Sequence, residues 1–439
     1  MLPENIDTDV LVVGGGFAGL SAVRTLQIRF LEYVEVCKSK KETPSVNKLK
    51  IHMVEPRSGL LNILGMLKCL VDLQFAQTQY IDFTDLHVPW TEVILQYPTV
   101  MEKYEMARKE IEKQKAEIEA KNNVDVQISF IHGRVDNLSL NLAHLTLERP
   151  LAKEINGETP ECPKQEGTIN FKYVILASGR DRSWPATPLG QTKDIFLLEM
   201  KKFHDSLIDK KIITVVGGGA VGVEFAGDLK HHFPGKTVQL VHPHEKFPPE
   251  PLTDAFKDLV KQSLESSGVK VIRKRISKQL EDGNLVTTDG DVIESDFVYW
   301  ATSHKNNTTV LVPELQLRFV NKANNILVND YLQLSNTEIT YSHFFAIGDL
   351  IEKKMIIKSA GWAIYMGRAS AHNVISLIVR GETVEPFPDV TKMPRGMVMV
   401  AGNGDIVLEI TGEALINPPH YVEEYKDYCF GKVRVTINV

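Results

Sequence analysis

The stretch Asp9-Val-Leu-Val-Val-Gly14-Gly15-Gly16-Phe17-Ala18-Gly19-Leu20 decides the fold of this chain. Its apolar half predicts a buried parallel strand, and the residues after it continue with helical spacing. Gly14, Gly16 and Gly19 stand at the G-x-G-x-x-G spacing, which permits a tight turn, close backbone approach to a pyrophosphate and close packing of the helix on the strand. The new helix offers N–H donors to phosphates. The stretch favours a dinucleotide site, and a purely structural glycine turn stays open on this pattern alone.

A second strand candidate, Leu49–Glu55, ends in an acid. A carboxylate at this position can accept hydrogen bonds from the hydroxyls of an adenosine ribose. Glu55 is therefore the candidate for that role, and a solvated acid at a strand end is the alternative. The distance from Gly19 exceeds the usual spacing of about 20 residues, and we interpret the polar segment 37–47 as an insertion.

The opening pattern returns in Ile212-Ile-Thr-Val-Val-Gly217-Gly218-Gly219-Ala-Val-Gly222-Val-Glu224. A second strand, glycine turn and helix argue for a second dinucleotide site. The strand that follows ends in His242 instead of an acid. An acid would repel the 2′-phosphate of NADP, whereas His242, with Lys246 nearby, would tolerate it. This pattern predicts that the second site does not strongly exclude NADPH; the alternative is that His242 merely ends a strand.

Three further stretches complete the pattern. Phe171–Leu176 predicts a buried strand that runs into Ala177-Ser178-Gly179, and small residues there suit a backbone crossing close to a ligand. The apolar run 344–347 ends in Gly348-Asp349, and Lys358 precedes a helical pattern over about 360–379. Prolines at 386, 388 and 394 mark a boundary, after which strands at 397–400 and 406–410 predict a small C-terminal unit.

Composition excludes several classes of protein. Hydrophobic residues make up 43% and charged residues 24%, with a net charge of −6, so no basic field points to nucleic acid. The four cysteines, Cys37, Cys69, Cys162 and Cys429, are far apart, with neither C-x-x-C nor the spacing of metal ligands. This argues against a redox-active disulfide and against a metal site.

The sequence also bears on membrane association. We find no run of 18 apolar residues, no secretory or myristoylation signal at the N-terminus and no prenylation box at the C-terminus. Any membrane contact is therefore expected to be peripheral. Segment 101–121 is rich in helix formers with i,i+4 charge pairs and predicts a solvated surface helix; a contact surface for a partner or for a membrane surface is the alternative.

With both glycine patterns, Ala177-Ser178-Gly179 and Gly348-Asp349 in hand, the chain resembles the pyridine-nucleotide flavoprotein oxidoreductases that carry two dinucleotide-binding domains. Within them it looks most like the apoptosis-inducing-factor-like group that includes the ferroptosis suppressor proteins, with type II NADH dehydrogenases as neighbours. The resemblance covers most of residues 8–384. The chain departs from the group in its insertions at 37–47 and 84–124, in Ser178 where threonine is commoner, and in lacking the lipid-anchor signal of some relatives.

The resemblance implies a role for each candidate residue. Gly14, Gly16, Phe17, Ala18, Gly19 and Glu55 would hold the adenosine and pyrophosphate of FAD, with Ala177, Ser178, Gly179, Gly348 and Asp349 completing that site. Gly217, Gly219, Gly222 and His242 would hold NADH or NADPH, with Glu224 near the nicotinamide. Lys358 would stabilise the reduced, anionic flavin ring; a solvated lysine at a helix start is the alternative, because the dipole there disfavours a cation.

The expected fold class is α/β, with two Rossmann-like domains for FAD and NAD(P)H and a small α+β C-terminal unit. The expected division is 1–208 with 297–384 for FAD, 209–296 for NAD(P)H, and 385–439. The resemblance implies an NAD(P)H-dependent, FAD-containing enzyme that reduces a quinone or another small acceptor. The alternative is a slowly turning-over nucleotide sensor that acts through a partner. We expect an intracellular protein, cytoplasmic, mitochondrial or associated with a lipid surface, and the oligomeric state stays open.

Overall fold

The computed structural model describes residues 5–94, 125–147, 165–302, 304–353, 356–393 and 395–439. Its helices are α1 (Phe17–Ser39), α2 (Met66–Cys69), α3 (Leu73–Ala76), α4 (Lys193–Leu207), α5 (Ala220–His232), α6 (Asp254–Ser266), α7 (Pro313–Phe319), α8 (Ala360–Arg380), α9 (Pro419–Glu424) and α10 (Phe430–Ile437). The strands of the first 200 residues are β1 (Asn5–Val13), β2 (Lys48–Glu55), β3 (Gly59–Leu61), β4 (Tyr80–Asp82), β5 (Glu92–Ile94), β6 (Asp125–Leu138), β7 (Leu142–Leu147), β8 (Glu166–Leu176) and β9 (Arg180–Arg182). Those that follow are β10 (Ile212–Val216), β11 (Thr237–His242), β12 (Lys270–Arg273), β13 (Ile276–Gln279), β14 (Leu285–Thr287), β15 (Val292–Ile293), β16 (Phe297–Trp300), β17 (His304–Asn306), β18 (Gln333–Ser335), β19 (Thr340–Ala346), β20 (Gly396–Val400), β21 (Ile406–Ile410) and β22 (Glu413–Ile416).

The larger sheet is organised around β1, which lies between β2 and β8 and runs parallel to both. Strand β6 continues the parallel set beyond β2, and β19 continues it beyond β8. Antiparallel β7 joins β6 to β8, and β18 flanks β19. Because the carboxyl ends of parallel strands share one edge of a sheet, the ends of β1, β2, β8 and β19 meet at the position where α/β proteins bind ligands.

The second sheet repeats this plan with β10 between β11 and β16, and β12 outside β11, all parallel. The predicted α/β class with two Rossmann-like units is confirmed by these sheets. Strand β16 begins at Phe297, where the sequence predicts that the chain re-enters the first unit, yet β16 pairs with β10 of the second sheet. Helix α4 likewise packs Phe196 and Met200 into the core that contains Ile213. The division into 1–208 with 297–384, 209–296 and 385–439 stays a prediction, and these contacts favour placing α4 and β16 with the second sheet.

The two predicted insertions differ in the structure from simple surface loops. Residues 37–39 continue α1, whose 23 residues account for much of the distance to Glu55, and Cys37 is buried. At the start of the 84–124 segment, Trp90 is buried and its Nε1 donates to the carbonyl of Phe83 (2.8 Å), while β5 pairs with β6. Residues 95–124, including the predicted helix at 101–121, lie outside the described residues.

The C-terminal unit contains the antiparallel sheet β20–β21–β22, with α9 and α10 beside it. It docks on the second unit through Glu409, whose Oε2 accepts from the backbone N–H of Thr253 (2.9 Å) and from its hydroxyl. A Cβ added at Gly227 of α5 would lie 2.3 Å from the carbonyl oxygen of Ala401, so the two backbones are in close contact. Among the described residues, no helix combines the length and apolarity that a membrane span requires.

Candidate functional site

The first glycine turn has the geometry that its sequence predicts. Gly14 has φ +107°, and a Cβ there would lie 2.3 Å from the carbonyl oxygen of Ala177. A Cβ at Gly19 would lie 1.9 Å from the carbonyl oxygen of Gly14, whereas a Cβ at Gly16 would meet no atom within 4 Å. The turn therefore keeps open space at Gly16, where a ligand would approach, and needs the other two glycines for its own packing. Helix α1 begins at Phe17 without a side-chain cap, which leaves N–H groups available to a phosphate.

Glu55 lies at the end of β2 beside this turn. Its Oε2 accepts from the N–H of Gly15 (2.7 Å) and its Oε1 from the N–H of Arg57 (3.1 Å). Burial raises the pKa of Glu55, opposed by the Arg57 guanidinium, which lies 3.6 Å from Oε1, and by these two hydrogen bonds. Both residues line a cavity of about 550 Å³ together with Asp136, Ser178 and Asn307. The carboxyl group is thus fixed where an adenosine ribose would meet the glycine turn.

The second glycine turn repeats the first in detail. Gly217 has φ +120°, a Cβ at Gly222 would lie 1.8 Å from the carbonyl oxygen of Gly217, and a Cβ at Gly219 would meet nothing within 4 Å. His242 occupies the place of Glu55, because its Nδ1 accepts from the N–H of Gly218 (3.1 Å). Burial and the neighbouring His244 lower the pKa of His242. The strand end therefore presents a neutral ring in place of a carboxylate.

A second cavity, of about 250 Å³, joins the first turn to the distant predicted residues. It is lined by Gly16, Phe17, Ala18, Glu55, Ala177, Ser178, Gly179, Gly348, Asp349 and Lys358, among others. Two of these already have partners: the Ser178 hydroxyl donates to the carbonyl of Asn307 (3.0 Å), and Lys358 Nζ donates to the carbonyl of Ile351 (2.5 Å). Burial lowers the pKa of Lys358. Most of the predicted residues of the first site thus share one cleft, whereas Gly14 lines the 550 Å³ cavity.

Three arginines in this cleft were missed by the sequence analysis. Arg57 follows Glu55 on the chain, while Arg180 and Arg182 lie on β9, and all three line the cavity. Arg180 Nη2 donates to the carbonyl of Asp349 (3.4 Å). The alternation Arg-x-Arg directly after Gly179 was the available signal, since residues two apart in a strand point to the same face. These cations would balance the charge of a bound dinucleotide.

The largest of the three cavities, about 640 Å³, adjoins this cleft and is mainly apolar. Glu224 and Lys358 both line it, and so do Trp362, Tyr425 and Val433. Burial raises the pKa of Glu224 to about 8, with Asp228 adding to the shift. The C-terminal unit supplies much of the wall, which the sequence analysis did not anticipate because those residues follow no recognised pattern.

The residues present fit a bound FAD and a second dinucleotide. The two turns keep open space at Gly16 and at Gly219, and the carboxyl group of Glu55 at the end of β2 is hydrogen-bonded to the first turn. The donor set matches the pyrophosphate and ribose of a dinucleotide. Both predicted catalytic residues, Glu224 and Lys358, line the 640 Å³ cavity.

Comparison with known proteins gives concordant findings. Residues 8–367 match the model of the pyridine nucleotide-disulphide oxidoreductase family. Oxidoreductase OXR1 of Ajellomyces capsulatus is 26% identical over 430 residues, covering 91% of this chain and 80% of that protein. Ferroptosis suppressor protein 1 of Xenopus tropicalis is 22% identical over 396 residues, covering 86% of this chain and 83% of that one.

Solved structures share the fold. The water-forming NADH oxidase from Lactobacillus brevis, bound to NADH, aligns with a TM-score of 0.54 at 14% identity, over 92% of this chain and 75% of that one. An NAD-dependent persulfide reductase from A. fulgidus gives 0.54 at 18% identity, over 91% of this chain, which spans just under two-thirds (63%) of that longer protein. With two glycine turns, their cleft and a family match over most of its length, the chain belongs to the pyridine nucleotide-disulphide oxidoreductases, enzymes that use FAD and NAD(P)H.

Proposed function

We propose that this chain oxidises NAD(P)H and passes the electrons to a quinone-type acceptor in the 640 Å³ cavity. Bound flavin would supply the redox chemistry, taking hydride from the nicotinamide and releasing electrons to the acceptor. Gly14, Gly16, Phe17, Ala18 and Gly19, with Glu55, Ala177, Ser178, Gly179, Gly348 and Asp349, would hold the flavin nucleotide. Gly217, Gly219, Gly222 and His242 would hold NADH or NADPH.

The observation that carries this proposal is the shared cavity of Glu224 and Lys358. Apolar side chains such as Ile63, Trp362 and Val433 suit the ring and tail of a quinone, and the two polar groups in the same lining would act on its oxygens. Lys358 would stabilise negative charge on the reduced flavin ring. Glu224 would donate a proton to the acceptor inside an apolar cavity. Among the described residues, no pair of cysteines lies in the cleft, which favours a quinone over a disulfide as acceptor.

Two variants of α10 test the cavity. Val433 is buried and lines it, whereas Val435, on the same helix, is 81% exposed. In stopped-flow mixing of the holoenzyme with NADH and then a short-chain benzoquinone, Val433→Phe should slow reoxidation of the flavin and leave its reduction unchanged, while Val435→Phe should change neither. A wild-type flavin that NADH reduces but benzoquinone does not reoxidise would exclude the proposed reaction and favour the nucleotide-sensing alternative.

A further inference from the structure

Three ionisable residues lie at four-residue intervals along α5: Glu224, Asp228 and His232. Residues at this spacing share one face of a helix, with Cβ atoms about 5–6 Å apart. Glu224 lines the 640 Å³ cavity at one end. His232 lies in the last turn at the other end, where its side chain is 20% exposed and its Nε2 lies 3.5 Å from Asp72 Oδ2. These three residues form a stripe along one face of α5, and the stripe runs from the cavity to the protein surface.

Asp228, in the middle of the stripe, is only 4% exposed. The hydroxyl of Tyr428 lies 3.1 and 3.2 Å from its two carboxyl oxygens and donates to them. An acceptor for Tyr428 could equally be an amide, which would avoid the cost of burying an ionisable group. What a carboxyl group adds at this position is a proton that can be exchanged.

The proposed reaction needs such a proton. Hydride from NAD(P)H carries two electrons and one proton, whereas reduction of a quinone to a hydroquinone takes two electrons and two protons. Each turnover therefore draws one proton from solvent into a mainly apolar cavity. Glu224 can donate only once unless its own proton is replaced.

We propose that α5 conducts this proton, with His232 taking it from solvent, Asp228 passing it on and Glu224 delivering it to an acceptor oxygen. The inference rests on the proposed function. At delivery, the O–H bond of Glu224 breaks as an O–H bond forms on the acceptor. The Glu224 carboxylate then regains a proton from the Asp228 carboxyl, which His232 reprotonates, and no electrons move along the helix.

The surroundings support this direction of transfer. Burial raises the pKa of Glu224 to about 8 and that of Asp228 to about 6, so the inner group holds the proton more tightly. Other groups that act on Glu224 are Arg182 and Glu250, together with Tyr425 of the C-terminal unit. Those facing Asp228 are Tyr428, the α2 residues Lys68 and Cys69, and Asp72, which follows α2.

Asp228→Asn tests the path because it keeps an acceptor for Tyr428. We expect benzoquinone to reoxidise the flavin of this variant about 10²-fold more slowly, the lower end for a lost proton transfer. Reduction of the flavin by NADPH should be unchanged, and so should electron transfer to ferricyanide, which takes up no proton. Added imidazole should restore part of the benzoquinone rate.

The histidines at the end of α5 give a matched pair. His232→Asn should slow the benzoquinone step, whereas His231→Asn, one residue off the stripe and exposed, should not. Equal losses with ferricyanide and benzoquinone, or a wild-type rate in Asp228→Asn, would overturn the proton path.

A second readout needs no turnover. In flavin-free protein at neutral pH, the infrared band of a protonated carboxyl that disappears in Glu224→Gln should shift on transfer to deuterated water. That exchange should be slower in Asp228→Asn and His232→Asn than in the wild type and His231→Asn. Equal exchange rates in all four proteins would exclude the proton path. Failure of benzoquinone to oxidise the wild-type flavin would instead exclude the proposed function, and the exchange measurement would still test the path.

Discussion

At the scale of single residues, glycines within one turn have different physical requirements. Gly19 is required by the fold, because any side chain would collide with the carbonyl of Gly14. Gly16 is not, because a methyl group there would meet open space. Its requirement comes from the ligand that would pass over it.

This difference predicts opposite behaviour for two alanine variants. Gly16→Ala should unfold at the same urea concentration as the wild type when both are flavin-free, yet release flavin more readily. Gly19→Ala should lose about 1–3 kcal/mol of folding free energy, the usual cost of overpacking. Urea unfolding and flavin retention on gel filtration measure the two effects. Equal destabilisation of both flavin-free variants would contradict this distinction.

His242 predicts the coenzyme preference. In the wild type, kcat/KM for NADH should not exceed that for NADPH by a thousandfold, which corresponds to about 4 kcal/mol. His242→Glu places a carboxylate beside Gly218, as Glu55 stands beside Gly15, and should shift the ratio toward NADH by about tenfold or more. His244→Glu, an exposed change in the same loop, is the control. An equal shift of the NADH/NADPH ratio in both variants would show that added negative charge in this loop, and not the position of His242, causes the effect.

Glu224 predicts how stability depends on pH. Its pKa is raised from 4.5 to about 8 in the folded protein. The folded state therefore binds this proton more tightly, and the resulting stabilisation is complete below about pH 4.5 and lost as the pH rises to about 8. Glutamine carries no proton to lose, so flavin-free Glu224→Gln should become more stable relative to the flavin-free wild type as the pH rises over this range. The gain in folding free energy should be up to about 1.4 kcal/mol per pH unit. Urea unfolding at pH 5 and pH 8 checks this, with the exposed Glu423→Gln as a control that should show no such trend.

At the scale of elements, the close pairing of α1 and α8 shapes the 250 Å³ cleft proposed to hold the flavin. A Cβ at Gly367 of α8 would lie 2.3 Å from the carbonyl oxygen of Ala18, and the Ser21 hydroxyl donates to the carbonyl of Ile364 (2.9 Å). The two helices thus meet backbone to backbone beside the first glycine turn. Asp349 and Lys358, which precede α8 in the chain, line this cleft together with Ala18.

Gly367→Ala should therefore separate the helices and destabilise the protein by about 1–3 kcal/mol, with weaker flavin binding. Gly361→Ala, near the start of the same helix, meets only Ser359 Oγ at 4.0 Å. It should stabilise the helix by up to about 1 kcal/mol. Thermal unfolding with and without flavin distinguishes the two, and a neutral Gly367→Ala would show that the contact can relax.

At the scale of the whole molecule, the C-terminal unit completes the 640 Å³ cavity by docking on the second unit. The backbone contact of Gly227 with Ala401 and the bonds from Thr253 to Glu409 hold it there. Tyr428 adds its bond to Asp228, and the side-chain amide of Asn62 donates to the carbonyl of Tyr428 (3.2 Å). The cavity wall therefore depends on contacts between residues far apart in the chain.

Gly227→Ala should loosen this docking. We expect faster limited proteolysis within residues 385–439 and slower reoxidation of the flavin by benzoquinone, with reduction by NADH retained. Gly235→Ala, where an added Cβ meets nothing within 4 Å, is the control. Unchanged proteolysis in Gly227→Ala would show that the other contacts suffice.

The sequence by itself determined the two βαβ turns, because strand, glycine spacing and helix are encoded within about 15 consecutive residues and follow from local steric limits. It also located both strand ends, Glu55 and His242, and two of the C-terminal strands, β20 and β21, but not β22. It did not locate the end of α1, which extends to Ser39 within the segment 37–47 that we interpret as an insertion, since a helix can continue through polar residues when one face stays buried.

Only the tertiary structure decided which distant residues share a site. The placement of Arg180 and Arg182 in the first cleft, the contact of Tyr428 with Asp228 and the cavity between Lys358 and Glu224 join segments separated by more than a hundred residues. Such contacts depend on how sheets and helices pack and leave no periodic trace in the chain. The two glycine turns are thus encoded locally, whereas the 640 Å³ cavity forms only once the C-terminal unit is docked.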